Sequence, residues 1–241
     1  MEKLSELNVK IFADGADLEG IREMYCNPLI KGFTTNPTLM RKEGVEDYKA
    51  FSMEVLKAVP DRPISLEVFA DDFDEMERQA LEIASWGSNV NVKIPVTNTK
   101  GEISGPLIER LTKEGVVVNV TALLTIEQVR SVTACLADST PAIVSVFAGR
   151  LADTGRDPVP MMAEAVEILK TKPNAELIWA SPRELLNIFQ ADEIGCHIIT
   201  VTNDILKKLT LVGKDLREYS LDTVKMFHSD ASMAGYSIPS R

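Results

Sequence analysis

The run Asn-Val-Asn-Val-Lys-Ile-Pro-Val-Thr, Asn89 to Thr97, sets a lysine inside a β-branched segment with no acidic residue beside it. An ammonium among valines must find a partner, or give up its proton and serve as a nucleophile. A strand-end lysine that snorkels to solvent is the plainer reading. The choice rests on which polar groups the other strands bring to Lys93. Strand residues two apart share a face, so Val90, Val92 and Ile94 form one apolar set and Asn91 and Lys93 the other. The same parity aligns Glu67 with Ser65 and Phe69, Asn119 with Thr121, and Ser145 with Phe147. Asp14 closes the first strand-like run, Thr35 and Asn36 close the second in Thr-Thr-Asn-Pro, and Ser181 and Arg183 follow the seventh. Taken singly, Asp14 and Ser181 read as helix caps and Asn36-Pro37 as a turn. Glu67 has no such plain role, because a carboxylate inside a strand needs a partner, and Lys93 on the next strand supplies one. One lysine, two carboxylates and a ring of amides and hydroxyls are what Schiff-base chemistry on a carbonyl compound requires: a nucleophile, proton shuttles and hydrogen bonds to a polyhydroxylated ligand.

Such a set can converge only if the strands are held side by side. Short apolar runs alternate with longer amphipathic ones throughout, the pattern of α/β proteins with a parallel sheet. Strands are predicted near 8–13, 30–34, 64–69, 89–94, 115–120, 141–146, 175–180 and 196–200. Helical periodicity covers 71–85, 103–113, 125–137, 158–170, 183–190 and 202–209, with Asp71, Thr125 and Thr202 as capping residues. Eight β/α units without a Gly-x-Gly-x-x-Gly after the first strand predict an α/β fold of the single (β/α)8 TIM-barrel type. The barrel is expected over 1–215, followed by an amphipathic C-terminal helix within 216–241 that covers the barrel or docks on another subunit. The polar residues then fall at or near the C-terminal ends of their strands, the face on which barrel enzymes build active sites.

Composition narrows the function further. A formal charge of −10 and a pI near 4.8 disfavour nucleic acid and anionic membranes as partners. An anionic substrate would need a local basic pocket working against that field. No apolar run is long enough to span a bilayer and no signal-peptide core follows the amino terminus, so a cytoplasmic protein is expected. Cys26, Cys135 and Cys196 lie far apart, and the two histidines, His197 and His228, fall in no ligand-like cluster, so neither a disulfide framework nor a metal site is expected.

The motifs that carry these residues are Ala-Asp-Gly-Ala-Asp (13–17), Gly-Phe-Thr-Thr-Asn-Pro-Thr (32–38), Leu-Glu-Val (66–68), Val-Lys-Ile-Pro-Val-Thr (92–97), Asn-Val-Thr (119–121), Ser-Val-Phe-Ala-Gly-Arg (145–150) and Ala-Ser-Pro-Arg (180–183). In this order they resemble the transaldolases, in the short-chain branch that also contains the fructose-6-phosphate aldolases. The resemblance implies a class I aldolase barrel with Lys93 as the Schiff-base lysine and no cofactor, since the protonated imine is the electron sink. It further implies that Asp14 is the acid/base on the substrate hydroxyl and that Glu67 and Thr121 hold the catalytic water. Asn36, Asn119 and Ser145, with Thr35 of the same Thr-Thr-Asn-Pro motif, would bind the dihydroxyacetone moiety. Arg150, Ser181 and Arg183 would bind phosphate. Glu67 and Phe147 stand where the aldolases of the branch typically have Gln and Tyr, which implies transfer rather than release of dihydroxyacetone. Pro182 stands where an aromatic residue is common, a departure within the phosphate loop. The resemblance also implies a homo-oligomer, a pentamer or decamer, acting on sugar phosphates. A fructose-6-phosphate aldolase and a non-catalytic sugar-phosphate-binding barrel are the competing readings.

Overall fold

The computed structural model describes residues 2–238; Met1 and the last residues of the expected tail, 239–241, lie outside the described residues. Residues Leu7–Lys207 form one compact unit. Its strands are β1 (Lys10–Asp14), β2 (Ile30–Thr34), β3 (Ile64–Glu67), β4 (Val90–Pro95), β5 (Val118–Leu123), β6 (Ala142–Val146), β7 (Ala175–Trp179) and β8 (Ile198–Thr202). They pair in chain order, all parallel, and β8 closes on β1. With helices between successive strands this is a single (β/α)8 barrel, and a further helix, Leu216–Met233, follows it in sequence. Among the described residues no helix is long and apolar enough to cross a membrane.

Parity sorts the strands as expected. Val90, Val92 and Ile94 are buried on the helix side, while Phe12, Ile143, Ile178 and Ile198 form a plug inside the barrel. Phe12 reaches this position because position 32 is glycine: a Cβ there would lie 2.5 Å from the Phe12 ring. The inward polar residues sit above that plug, so an apolar floor separates them from the opposite mouth.

Several expected boundaries move for local reasons. β5 begins at Val118, not at 115, because Gly115 at φ +85 completes the turn that ends the helix Gly105–Lys113. β3 stops at Glu67: the amides of Phe69 and Ala70 both donate to Gln79 Oε1, at 2.9 and 3.0 Å. Phe69 is therefore not an inward residue; it is 51% exposed and packs edge-on against Tyr48, with ring centroids 4.5 Å apart. The cap expected at Asp71 falls on Asp72, which accepts from Asp74 N and Glu75 N, while Asp71 accepts from Thr99 instead. Thr125 forms a full capping box with Gln128. Thr202 precedes Asn203–Leu206 but donates its hydroxyl to Asp204, so it makes no side-chain cap bond.

The described residues up to Glu6 and from Lys208 to 238 cluster as a second unit. It contains the helix Leu216–Met233, capped by Asp215, whose carboxylate accepts from Arg217 N and Glu218 N. Lys214 pairs with Asp222 at 2.6 Å and lies over the Tyr219 ring.

Candidate active site

Parallel register places Glu67 beside Lys93, Lys93 beside Asn119, and Pro95 beside Thr121. Adjacent strands lie about 4.8 Å apart, so side chains of matching parity meet. Lys93 is only 6% exposed. Its Nζ donates to the Thr35 carbonyl at 2.8 Å and lies 2.9 Å from Glu67 Oε2. Glu67 is itself anchored, because the Tyr48 hydroxyl donates to its backbone carbonyl at 3.0 Å. Burial holds the Tyr48 phenol well above its ordinary pKa, so it stays a donor. The snorkelling alternative for Lys93 is thereby excluded.

Asp14 closes the cavity from the opposite wall. Thr34 Oγ1 donates to Asp14 Oδ1 at 2.8 Å, and the hydroxyls of Thr34 and Thr200 lie 2.5 Å apart. Desolvation lifts the Asp14 pKa above the usual carboxylate value; the ammonium of Lys93 and the Thr34 hydrogen bond oppose the rise, and the charge of Glu67 adds to it. A carboxylate so poised accepts a proton more readily near neutral pH than a solvated aspartate does.

The remaining wall is a chain of hydrogen bonds. Ser145 Oγ donates to Asn119 Oδ1 at 2.7 Å, and Asn119 Nδ2 donates to Ser65 Oγ at 3.0 Å. These bonds fix the Asn119 amide with its oxygen and nitrogen already assigned. Asn36 caps the helix Pro37–Lys42, its Oδ1 accepting from Leu39 N at 3.0 Å, and its side chain also borders Asp14. Thr121 differs from all of these: its hydroxyl is buried and has no hydrogen-bond partner among the described residues. Such a group carries a desolvation cost of about 1–3 kcal/mol until something polar is bound beside it. A bulge places it there, with Ala122 at φ 66 and the β5–β6 register shifting between Val120 and Leu123.

Above the strand ends, two motif loops lock together. A Cβ at Gly149 would lie 1.5 Å from the Ser181 carbonyl oxygen, so only glycine fits, and Ser181 itself is held at φ +57. Arg150 extends into this region with its guanidinium 5.1 Å from the centre of the Phe147 ring. Arg183 turns away from the main cavity. Its Nε donates to Asp153 Oδ1 at 2.9 Å, and Nη2 bonds the other carboxylate oxygen.

One cavity of about 480 Å³ gathers Asp14, Asn36, Glu67, Lys93, Asn119, Thr121, Ser145, Phe147, Arg150 and Ser181 on its walls. Two expected residues are absent from these walls. Thr35 is fully buried with its hydroxyl on the Ser65 carbonyl, and it meets Lys93 only through its backbone; Thr34, one residue earlier, is the threonine that faces the cavity. Arg183 borders a smaller side chamber that shares Asp14, Ser181 and Thr200 with the main cavity. Thr34 and Thr200 follow from parity with Gly32 and Ile198 but, as neutral strand residues, carry no mark of their own in the sequence, while Ser65 lies on the face of Glu67 as its parity predicts. Tyr48 lies on the helix Tyr48–Ala58, where no strand pattern points to it. Among the described residues no group of three or more His, Cys, Asp or Glu side chains is placed to hold a metal ion.

An enclosed amine ion-paired with a carboxylate, a second carboxylate across the cavity whose pKa burial raises, and fixed amide and hydroxyl donors form a site for carbonyl chemistry on a polyol. A family model described as Transaldolase/Fructose-6-phosphate aldolase matches residues 11–238. The chain belongs to this family. It is 38% identical over 202 residues to a protein named "Probable transaldolase" from Dehalococcoides mccartyi, covering 83% of this chain and 90% of that one. Proteins of the same name from Thermoanaerobacter sp. and Methanococcus maripaludis are 37% and 33% identical, each match covering 83% of this chain and 89% of the relative. Among solved structures it is similar to an HpcH/Hpal aldolase/citrate lyase family protein from Burkholderia cenocepacia, with a TM-score of 0.59 at 14% identity over 91% of this chain and 98% of that one. It is also similar to 3-hexulose-6-phosphate synthase from Salmonella typhimurium, with a TM-score of 0.57 at 16% identity over 83% and 91%. These two likenesses concern the barrel alone. Membership of the transaldolase/fructose-6-phosphate aldolase family makes the protein an enzyme of the aldolase/transaldolase type.

Proposed function

We propose that the protein is a transaldolase that moves a dihydroxyacetone unit from a ketose phosphate, such as sedoheptulose 7-phosphate or fructose 6-phosphate, to an aldose phosphate through a Schiff base on Lys93. The observation that carries this reading is the buried Lys93 ammonium, 2.9 Å from Glu67 and facing Asp14 across one cavity. Proton transfer from Lys93 to Glu67 frees the amine to attack the C2 ketone. Glu67 then returns a proton to the carbinolamine hydroxyl, which leaves as water beside Thr121, and the iminium forms. Asp14 takes the C4 hydroxyl proton, the C3–C4 pair flows into the iminium to give an enamine, and an aldose phosphate departs. Asn119, held by Ser145 and Ser65, and Asn36 bind the hydroxyls of the remaining three carbons. The enamine then adds to the incoming aldehyde, and hydrolysis of the new iminium releases the product. Arg150 and Ser181 supply the anion site, with guanidinium geometry suited to phosphate in an otherwise acidic protein.

Glu67 and Phe147 favour transfer over release. A carboxylate at Glu67 shuttles protons, and Phe147 offers no phenol to protonate the enamine, which therefore waits for an acceptor. The reading also includes homo-oligomerisation and a role in sugar-phosphate metabolism in the cytoplasm; exposed apolar residues on the helix Leu216–Met233, among them Leu221, Val224 and Phe227, offer a surface for assembly. Product analysis with fructose 6-phosphate tests the central claim. Sedoheptulose 7-phosphate is expected when erythrose 4-phosphate is added, with little free dihydroxyacetone in its absence. Release of dihydroxyacetone at the same rate with or without acceptor would replace transfer by simple aldol cleavage.

A further inference from the structure

Two threonines from strands on either side of β1 meet in front of it. Thr34 on β2 and Thr200 on β8 are 4% and 7% exposed, and their hydroxyls lie 2.5 Å apart above the Phe12 plug. Each hydroxyl has one hydrogen to give. Thr34 gives its hydrogen to Asp14 Oδ1 at 2.8 Å while that carboxyl is charged, so the hydrogen in the short Thr34–Thr200 bond comes from Thr200. The order is then Thr200 to Thr34 to Asp14. When the proton that Asp14 takes lies on Oδ1, the oxygen bonded to Thr34, that O–H gives to Thr34 and Thr34 sends its hydrogen the other way, to Thr200. A residue at position 200 then donates in one state and accepts in the other, which a hydroxyl does and an aliphatic group of the same shape does not.

We propose that Thr200 is a positioning residue for carbon–carbon bond cleavage, fixing through Thr34 the hydrogen bond on Asp14 and reversing it when Asp14 takes the substrate's C4 hydroxyl proton. This rests on the Schiff-base reading given above. In the step itself, the O–H bond of the substrate breaks as the Asp14 O–H bond forms, the oxygen's electrons make the aldehyde, and the C3–C4 pair enters the iminium. Thr200 touches no reacting atom; its contribution is to keep the Asp14 carboxyl satisfied on both sides of the transfer. The other charged groups facing Asp14 are Lys93 from β4 and Glu67 from β3, with Arg183 and Asp204 bordering the side chamber. None of these can reverse a hydroxyl chain.

The experiment follows the carboxyl carbon of Asp14 by NMR across pH, without substrate, in the wild type, Thr200→Val and Thr200→Ser. Because hydrogen bonds to the charged carboxylate are the stronger ones, Thr200→Val is expected to move the Asp14 midpoint up by about half a pH unit or more. In turnover its kcat should fall roughly five- to tenfold with KM within about twofold, the size expected for one bond in a network. Borohydride with substrate should still trap Lys93, since imine formation precedes this step. Thr200→Ser should recover both the midpoint and kcat, and Thr200→Ala serves where valine disturbs folding. An unchanged Asp14 midpoint and kcat in Thr200→Val or Thr200→Ala, or a serine variant as impaired as valine, would overturn the proposal. If the wild type itself gives no borohydride adduct, the Schiff-base reading fails and the assigned catalytic role with it, while the NMR arm still decides whether the relay exists.

Discussion

The barrel has a cavity at each mouth, about 480 Å³ at the C-terminal end and about 400 Å³ at the N-terminal end, and both contain charged residues. At the lower mouth Lys10 Nζ sits 2.5 and 2.6 Å from the two oxygens of Glu176, with the side chains 41% and 36% exposed. A pair so open to solvent contributes about 0–1 kcal/mol. At the upper mouth the side chains of Lys93 and Glu67 are 8% and 17% exposed and share their cavity with a second carboxylate, Asp14, to which no cation among the described residues is bonded. Neither volume nor the presence of charge separates the two ends. What differs is desolvation: below the Phe12 plug the ion pair is solvated, and above it the charges are enclosed and incompletely matched. Enclosure is the condition under which an ammonium and a carboxylate can serve as the nucleophile and base proposed above.

The largest contrast should come from removing one lysine at each end. Lys93→Ala is expected to lower kcat by at least about 10⁴-fold, as loss of a covalent nucleophile does, and to abolish the borohydride adduct. Lys10→Ala should leave kcat within about twofold. A Lys93→Ala protein with normal turnover would end the mechanism.

Asp14→Asn comes next, and here activity and stability should move in opposite directions. Its folded pKa is raised, so the wild type carries a desolvation cost that is absent below the unfolded value of 3.8 and grows as pH rises through the folded value. Above the folded value the cost is fully present. The amide removes it, so Tm should rise, by about 2–4 °C for each 1 kcal/mol recovered, while kcat falls roughly 10²- to 10⁴-fold with the loss of the base. Thermal unfolding and turnover measured on one preparation check both. A lowered Tm at pH 7 would show that Asp14 is better matched in the fold than its surroundings imply.

Much of this site was legible because a barrel strand is a poor place for polar side chains. Lys93, Glu67, Asn119 and Ser145 stood out against apolar neighbours of opposite parity, and the parallel register then brought them together. What escaped notice was chemically quiet or lay off the strands. Thr34 was passed over for Thr35 because the motif Thr-Thr-Asn-Pro carries no parity mark of its own; Gly32, forced by the Phe12 ring, supplies it. Tyr48 reaches Glu67 from a helix remote in sequence, a contact that only tertiary packing creates. Asn91 shares the inward face of Lys93 but lies one layer lower and opens on the opposite mouth, so parity gave its direction and not its depth. Arg183 is expected in the phosphate pocket from its motif, but its fork is taken by Asp153, thirty residues away in sequence, a pairing that only tertiary packing creates.

The smallest effect comes from His197, which precedes β8 outside the lower cavity and extends the contrast to a second buried titrating group. His197 Nδ1 accepts from Leu177 N at 3.1 Å, which requires an unprotonated nitrogen there. Burial holds its pKa below the ordinary 6.5, with Lys10 acting in the same direction and Glu176 against it. The folded chain therefore refuses a proton that the unfolded chain accepts, and stability is lost as pH falls below about 6.5, levelling only under the folded pKa. Asp14 has the opposite sign: protonating it at low pH relieves its cost. Acidification should thus relieve a cost at Asp14 and add one at His197, the two effects partly cancelling in the wild type. In an Asp14→Asn background the histidine is isolated, and the drop in Tm from pH 7.5 to 5.5 should exceed that of the Asp14→Asn/His197→Gln double variant by about 2–4 °C, the equivalent of about 1 kcal/mol. Equal drops would mean that His197 takes up the proton without cost, and desolvation of a titrating group would then be confined to the upper cavity.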